Sequence, residues 1–210
     1  MAAAPDQRAY ILPPKHIAVL MQESPIFKPI VNTGYKVLFP FTPTIQGVHS
    51  AEYGPMGVTH TNYQYYSYQG STSPQLSVSG PFYNQTITEA AYYLACVHFF
   101  RLVTKMRAGV NDPYRGAPPP ILRFFAFGHL MYHNIPVVVR SFNFELNPQV
   151  DYIDVGVEQT EGQDEMYYQR VPTQSNLFLD LQTQYLPGKA LNEWHIDDFA
   201  KGNLVKKGFI

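Results

Sequence analysis

The sequence predicts a mainly β protein of α+β class, with one long helix over residues 87–107 flanking short alternating strands and with extended arms at both ends. Three observations carry that reading. Thr86 and Glu89 have capping-box spacing, no Gly or Pro interrupts the stretch from Ile87 to Arg107, and Gly109 offers a left-handed stop. Elsewhere apolar and polar residues alternate in short runs between turn signals, which is the period of a half-buried strand. Finally, 18 prolines and 16 tyrosines among 210 residues suit a chain of many short elements with large amphipathic side chains at its surfaces.

In chain order, Pro5, Pro13, Pro14, Pro25 and Pro29 break the first segment, so residues 1–34 read as an extended N-terminal arm with one helical turn near Ile17–Met21. Residues 35–190 read as the β domain. Tyr35–Phe41 is an apolar strand placed at an edge or bend by Pro40, and Gly47–Gly57, with Gly54 and Pro55, reads as turn. Asn62–Tyr68 is a strand with Tyr63 and Tyr65 on one face and Tyr66 and Tyr68 on the other. Leu76 and Val78 alternate with Gln75, Ser77 and Ser79 before a turn at Gly80 and Pro81. The helix has Ile87, Ala91, Leu94 and Leu102 on one side and Val97, Phe99 and Phe100 on others, so it expects more than one neighbour. Past it, Pro118–Pro120 lead stiffly into a strand over Ile121–Phe127, and Gly128–Asn134 is a turn. The run from Ile135 to Phe144 is apolar on both sides for part of its length and is the expected sheet centre. Tyr152–Val157 and Leu177–Gln182 alternate cleanly, with an exposed polar loop over Glu158–Glu165 between them. Residues 191–210 read as a C-terminal extension with a short helix around Trp194, Ile196 and Phe199.

Hydrophobic content of 45% and charged content of 15% fit a folded, well-cored chain, and a net charge of −1 supplies no basic excess for gripping a phosphate backbone. Met1–Pro5 is not the start of a signal peptide, and no stretch is apolar enough to span a bilayer, so membrane insertion is not expected. Cys96 lies within the helix and reads as a small buried apolar residue.

Nothing local asks for catalysis. His129 and His133 have metal-ligand spacing, but strand signals and Gly128 surround them and no Glu lies between, so no metal is expected there. His98 reads as a packed residue. There is no Gly-x-Ser-x-Gly elbow and no phosphate-cradling glycine pattern; Asp197 and Asp198 point apart, and Asp164 with Glu165 reads as a solvated loop. The expectation is a non-enzyme without catalytic residues, metal or cofactor. Tyr63, Tyr65, Tyr66 and Tyr68 are suited to interface hot spots, and Phe209 and Ile210, as an apolar terminus, are candidates for partner binding.

The segments VLFPFTPT (Val37–Thr44), HFFRLVTKM (His98–Met106), PPPILRF (Pro118–Phe124), NIPVVVRSF (Asn134–Phe142) and VDYI (Val150–Ile153), in that order, resemble baseplate proteins of contractile-tailed bacteriophages. More narrowly they are similar to the family that caps the central hub and initiates the tail tube, and the ending FAKGNLVKKGFI (Phe199–Ile210) is similar to that family's C-terminus. The resemblance implies a tail-tube-like β-sandwich or half-open barrel, of which six copies join their sheets in a ring around a channel. It implies the hub protein on one face, the tail tube protein or a second initiator ring on the other, non-specific passage of DNA, assembly in the host cytoplasm and a final place in the virion. A lumen that conducts DNA should not grip phosphates. Gln75, Ser77 and Ser79, and Asp180, Gln182 and Gln184, supply strand faces of that kind. The rival expectation is a tyrosine-rich β-sandwich that binds carbohydrate or a receptor.

Overall fold

The computed structural model describes residues 8–57, 59–110, 112, 114–157 and 167–210. Residues 8–34, expected to form an arm, are instead built into the fold. Tyr10–Leu12 forms strand β1 with Ile11 fully buried, and Lys15–Gln22 forms helix α1, which buries Ile17 and Met21 one turn apart on the same face. A 3-10 turn, Pro25–Phe27, runs into helix α2, Lys28–Asn32, which buries Ile30. The prolines that suggested an extended chain stand at element starts: Pro14 is the N-cap of α1, Pro25 opens the 3-10 turn and Pro29 lies in the first turn of α2. A proline there loses no hydrogen bond, so it starts a helix as readily as it prevents one.

The strands follow as β2 (Val37–Leu38), β3 (Thr44–Val48), β4 (Ala51–Met56), β5 (Tyr65–Ser71) and β6 (Gln75–Tyr83), then helix α3 (Ile87–Val103). After it come β7 (Leu122–Ala126), β8 (Tyr132–Phe144), β9 (Tyr152–Val157), β10 (Tyr167–Pro172) and β11 (Gln174–Thr183). The chain ends in three short helices, α4 (Pro187–Glu193), α5 (Ile196–Ala200) and α6 (Asn203–Lys206). Seven strands pair antiparallel in the order β2-β1-β7-β8-β11-β6-β3, with β8 in the middle as its two apolar sides require; β9–β10 and β4–β5 form separate pairs. The architecture is thus mainly β with helices, an α+β arrangement around a large antiparallel sheet. The polar loop expected over 158–165 lies outside the described residues.

The sheet is strongly curled. β2 and β3 are its opposite edges, yet residues 39–43 alone connect them. That connection spans at most about 23 Å fully stretched, whereas a flat sheet of this many strands would hold its edges about 29 Å apart. Side chains cross the same gap: Phe39 sets its ring 6.1 Å from that of Phe82 in β6. A Cβ added at Gly47 in β3 would lie 3.2 Å from the Tyr132 hydroxyl of β8, three strands away in the sheet.

The helix α3 begins as the spacing predicts, with both halves of the Thr86–Glu89 capping box formed. It ends at Val103 rather than 107. The Thr104 hydroxyl donates to the carbonyls of Phe100 (2.9 Å) and Arg101 (3.2 Å), and Arg107 is drawn off by Asp112 (2.7 Å) and by the backbone of Ala117 and Gly116. Gly109 does not have the positive φ expected of a stop. The lack of a polar face on α3 is explained by two sets of neighbours, α2 and the 3-10 turn on one side and β8, β9 and β10 on the other.

Candidate assembly surfaces

Strands β11 and β6 pair in a register that puts Gln182 opposite Gln75, Asp180 opposite Ser77 and Phe178 opposite Ser79. Their intervening leucines and valines point to the core. The residues expected to face a lumen therefore share one open face of one sheet, except Gln184, which follows the end of β11 and donates its N–H to the Pro136 carbonyl at 2.9 Å. At the centre of that face Asp180 accepts from Ser77 Oγ (2.9 Å) on β6 and from Ser141 Oγ (2.8 Å) on β8, so one carboxylate ties the two strands flanking its own. Phe178, half exposed beside it, breaks the polar pattern and was not among the expected face residues.

The Ser141 and Ser77 hydroxyls hold the Asp180 carboxyl below the usual carboxylate range, with Arg140 a smaller contributor. The sign follows. A depressed folded-state pKa contributes stability that is fully present above the unfolded value of about 3.9 and is lost as pH falls through the folded value. Urea unfolding across that acid range should show a pH dependence that Asp180→Asn flattens; an unchanged slope in the variant would remove Asp180 from the acid response.

The second surface is an arm. Strand β3 runs through His49 and Ser50 into β4, and β5 runs through residues 72–74 into β6, so the two pairs form one long hairpin whose outer half, β4–β5, leaves the sheet. The stretch expected to be turn over 47–57 is in fact mostly strand, broken at His49 and Ser50 and continuing to Met56; Gly54 and Pro55 sit within β4 rather than ending it. The root is fastened. Thr72 N–H donates to the Ser50 carbonyl (3.1 Å), Gln182 Nε2 to the Ser73 carbonyl (2.9 Å), and Thr183 Oγ1 to the Pro74 carbonyl (2.9 Å). Beyond the root Tyr63, Tyr65, Tyr66 and Tyr68 are 82%, 58%, 62% and 59% exposed, so none packs in the core. The register places Tyr53 and Pro55 with Tyr68 and Tyr66 on one face and Met56 with Tyr65 on the other. Tyr53, T-shaped on Tyr68 at 5.8 Å, and Met56 belong to this surface but were hidden by the turn signals around them.

The C-terminal expectation is corrected. Residues 191–210 fold back, and Phe209 is 3% exposed, its ring stacked on Tyr185 at 4.9 Å with Lys189 Nζ 5.1 Å from its centroid. Ile210 is half-buried and donates its N–H to the Tyr185 hydroxyl (3.2 Å). This apolar end therefore packs on its own chain. The exposed apolar side chains nearby are Leu191, Trp194 and Ile196.

His129 and His133 do meet, with their Nδ1 atoms 3.1 Å apart, the first in the connection between β7 and β8 and the second at the start of β8, rather than on a helix. Among the described residues no third His, Cys, Asp or Glu joins them. Burial lowers the His98 pKa, with Arg101 adding to the effect, and pushes the fully buried Cys96 thiol up to about 12, which makes it inert at neutral pH. Among the described residues no helix is long and apolar enough to cross a membrane. The chain matches no protein-family model and no curated protein sequence.

Proposed function

We propose that the chain is a non-enzymatic structural protein of a contractile phage baseplate, a ring that caps the hub and starts the tail tube while DNA passes through its lumen. The ordered motifs from Val37 to Ile153 that resemble the tube-initiator family motivate the reading. The single structural observation that supports it best is the convergence of Gln75, Ser77, Asp180 and Gln182 on one open sheet face, whose paired strands offer DNA no cationic side chain at those positions. In this reading the curled sheet is a half-open barrel of the tail-tube type, and six copies stand in a ring around a channel, one ring face meeting the hub and the other the first tube or second initiator ring.

Negative-stain microscopy of the purified chain, alone and mixed with the candidate hub and tube proteins, tests this. Rings with a central channel are expected; a chain that stays monomeric in every mixture would falsify the assignment. A groove of about 570 Å³ lined in part by Phe41, Phe82, Tyr83 and Tyr92 favours a second reading, carbohydrate or receptor binding. Specific binding on a glycan array, abolished by Tyr83→Ala, would support that reading instead.

A further inference from the structure

A strand edge with unpaired N–H and C=O groups is a template for another strand, so the state of each edge limits how copies can join. In the main sheet the β2 edge is closed. The N–H of Leu38 donates to the Tyr92 hydroxyl (2.6 Å), and that hydroxyl donates in turn to the Leu38 carbonyl (2.8 Å). Burial raises the Tyr92 pKa, keeping the hydroxyl protonated and able to do both. Pro40, two residues on, has no N–H to offer, and α3, which carries Tyr92, is tied to the strand by these hydrogen bonds. Among the described residues only β3 is left open, at the other edge, and it has no complementary open edge in the main sheet of a neighbouring copy.

The β9–β10 pair is no better suited. It is packed on α3, with Val155 and Val171 buried, and Arg170 meets Asp154 across it at 3.2 Å, charges of the kind that discourage pairing. The arm differs in each respect. Among the described residues β4 and β5 pair only with each other, Tyr53, Tyr65, Tyr66 and Tyr68 are 58–62% exposed, and Glu52 is the single Asp, Glu, Lys or Arg between Ala51 and Thr72. A hairpin of two strands is marginal in water by itself. β5 carries neither charge nor proline, while Pro55 interrupts the donors of β4 at one point.

We propose that the arms of neighbouring copies of this chain pair side by side, the outer edge of β4 on one copy against the outer edge of β5 on the next. The occupant is a second copy because a single arm carries both halves of the contact. Its two open edges belong to antiparallel strands, so the relation that already joins β4 to β5 within a copy is repeated between copies. Such a contact is heterologous, and it closes into a ring when the rotation per copy closes. Closure leaves no arm edge unpaired. The inference rests on the ring-forming function proposed above and assigns the strands that would join the ring.

The test uses full-length protein and three variants. In the first, residues 51–71 are replaced by a two-residue turn at the root, where Thr72 already bonds Ser50. It should keep the monomer's melting curve and form no rings. In the second, Tyr65→Lys/Tyr66→Lys leaves the backbone able to pair but repeats like charges on every second strand, about 10 Å apart; ring formation should need roughly tenfold more protein at low salt and recover as salt screens the charges. In the third, Val19→Lys, an exposed residue of α1 outside both candidate surfaces is charged as a control, and ring yield should be unchanged. Hydrogen exchange supplies a readout independent of folding: arm amides should slow at least tenfold when rings form. Rings that survive arm replacement, or arm amides that exchange equally fast in rings and monomers, overturn arm pairing alone. A wild-type chain that forms no rings overturns both this inference and the function it rests on.

Discussion

Phe39→Ala is expected to destabilise the protein by about 3–5 kcal/mol, the usual cost of emptying an aromatic site that cannot collapse. Phe39 is 1% exposed and lies in the segment that bridges the two edges of the curled sheet. Its ring sits directly on the backbone of β6, where a Cβ added at Gly80 would be 2.6 Å from Phe39 Cδ1. The surroundings are poorly placed to relax, because Phe39 N–H donates to the Ala9 carbonyl (2.9 Å) and Pro40 stiffens the next step. The same contact makes a sharper test than the single variant. Gly80→Ala should destabilise the wild-type protein, since an added methyl meets the ring, but should be close to neutral when Phe39 is already Ala, since the methyl then enters vacated space. A urea-unfolding double-mutant cycle measures this coupling. Additive losses would show that the ring and the glycine are not wedged together.

The parts of this fold that could be read from the sequence are those set by neighbouring residues. Thr86 and Glu89 are one turn apart, so the start of α3 was legible; β8 was legible as the centre because a strand covered on both faces loses its alternation. The arm was half legible. Its tyrosines marked β5 as amphipathic, but Gly54 and Pro55 hid β4, because residues that make turns are tolerated in an exposed edge strand. Residues 8–34 read as an arm because proline has the same local meaning at a helix start as in an extended chain, and only burial of Ile11, Ile17, Met21 and Ile30 separates the two.

The candidate site depended on contacts of long sequence separation. Gln75, Ser77 and Ser79, and Asp180 and Gln182, were each legible as polar strand faces, but that they form one face follows from a register between residues more than a hundred positions apart. No periodicity encodes it. Tyr92 is a similar case: in the sequence it is one more aromatic on an apolar helix, and its closing of the β2 edge appears only when Leu38, 54 positions away, is placed beside it. Phe209 reads as an exposed end because Tyr185, on which its ring stacks, comes from outside the tail.

The second large effect is expected at Gly208, where an added methyl group should detach the C-terminal segment. Helix α6 ends in a Schellman motif: Phe209 N–H donates to the Leu204 carbonyl and Gly208 N–H to the Val205 carbonyl, both at 3.0 Å, with Leu204 and Phe209 buried beside it. Gly208 has φ +89, and a Cβ there would lie 2.4 Å from the Asn134 carbonyl oxygen and 3.1 Å from its carbon. Those are backbone atoms at the start of β8, where Asn134 itself has φ 54, so neither side can give way cheaply. Gly202 separates the two costs. It also has a left-handed φ, +72, but its nearest neighbour would be Leu130 Cδ2 at 3.6 Å, an ordinary contact. Gly202→Ala should therefore cost only the conformational penalty, about 1–2 kcal/mol, while Gly208→Ala should exceed it by about 2 kcal/mol or more. The tail can undock before the sheet unfolds, so the melting temperature alone would understate the loss. The decisive measurement is hydrogen exchange over residues 204–210 together with limited proteolysis: Gly208→Ala should expose the segment and free the Tyr185–Phe209 stack, and Gly202→Ala should not. Equal protection in the two variants would mean that the approach to Asn134 does not hold the tail in place.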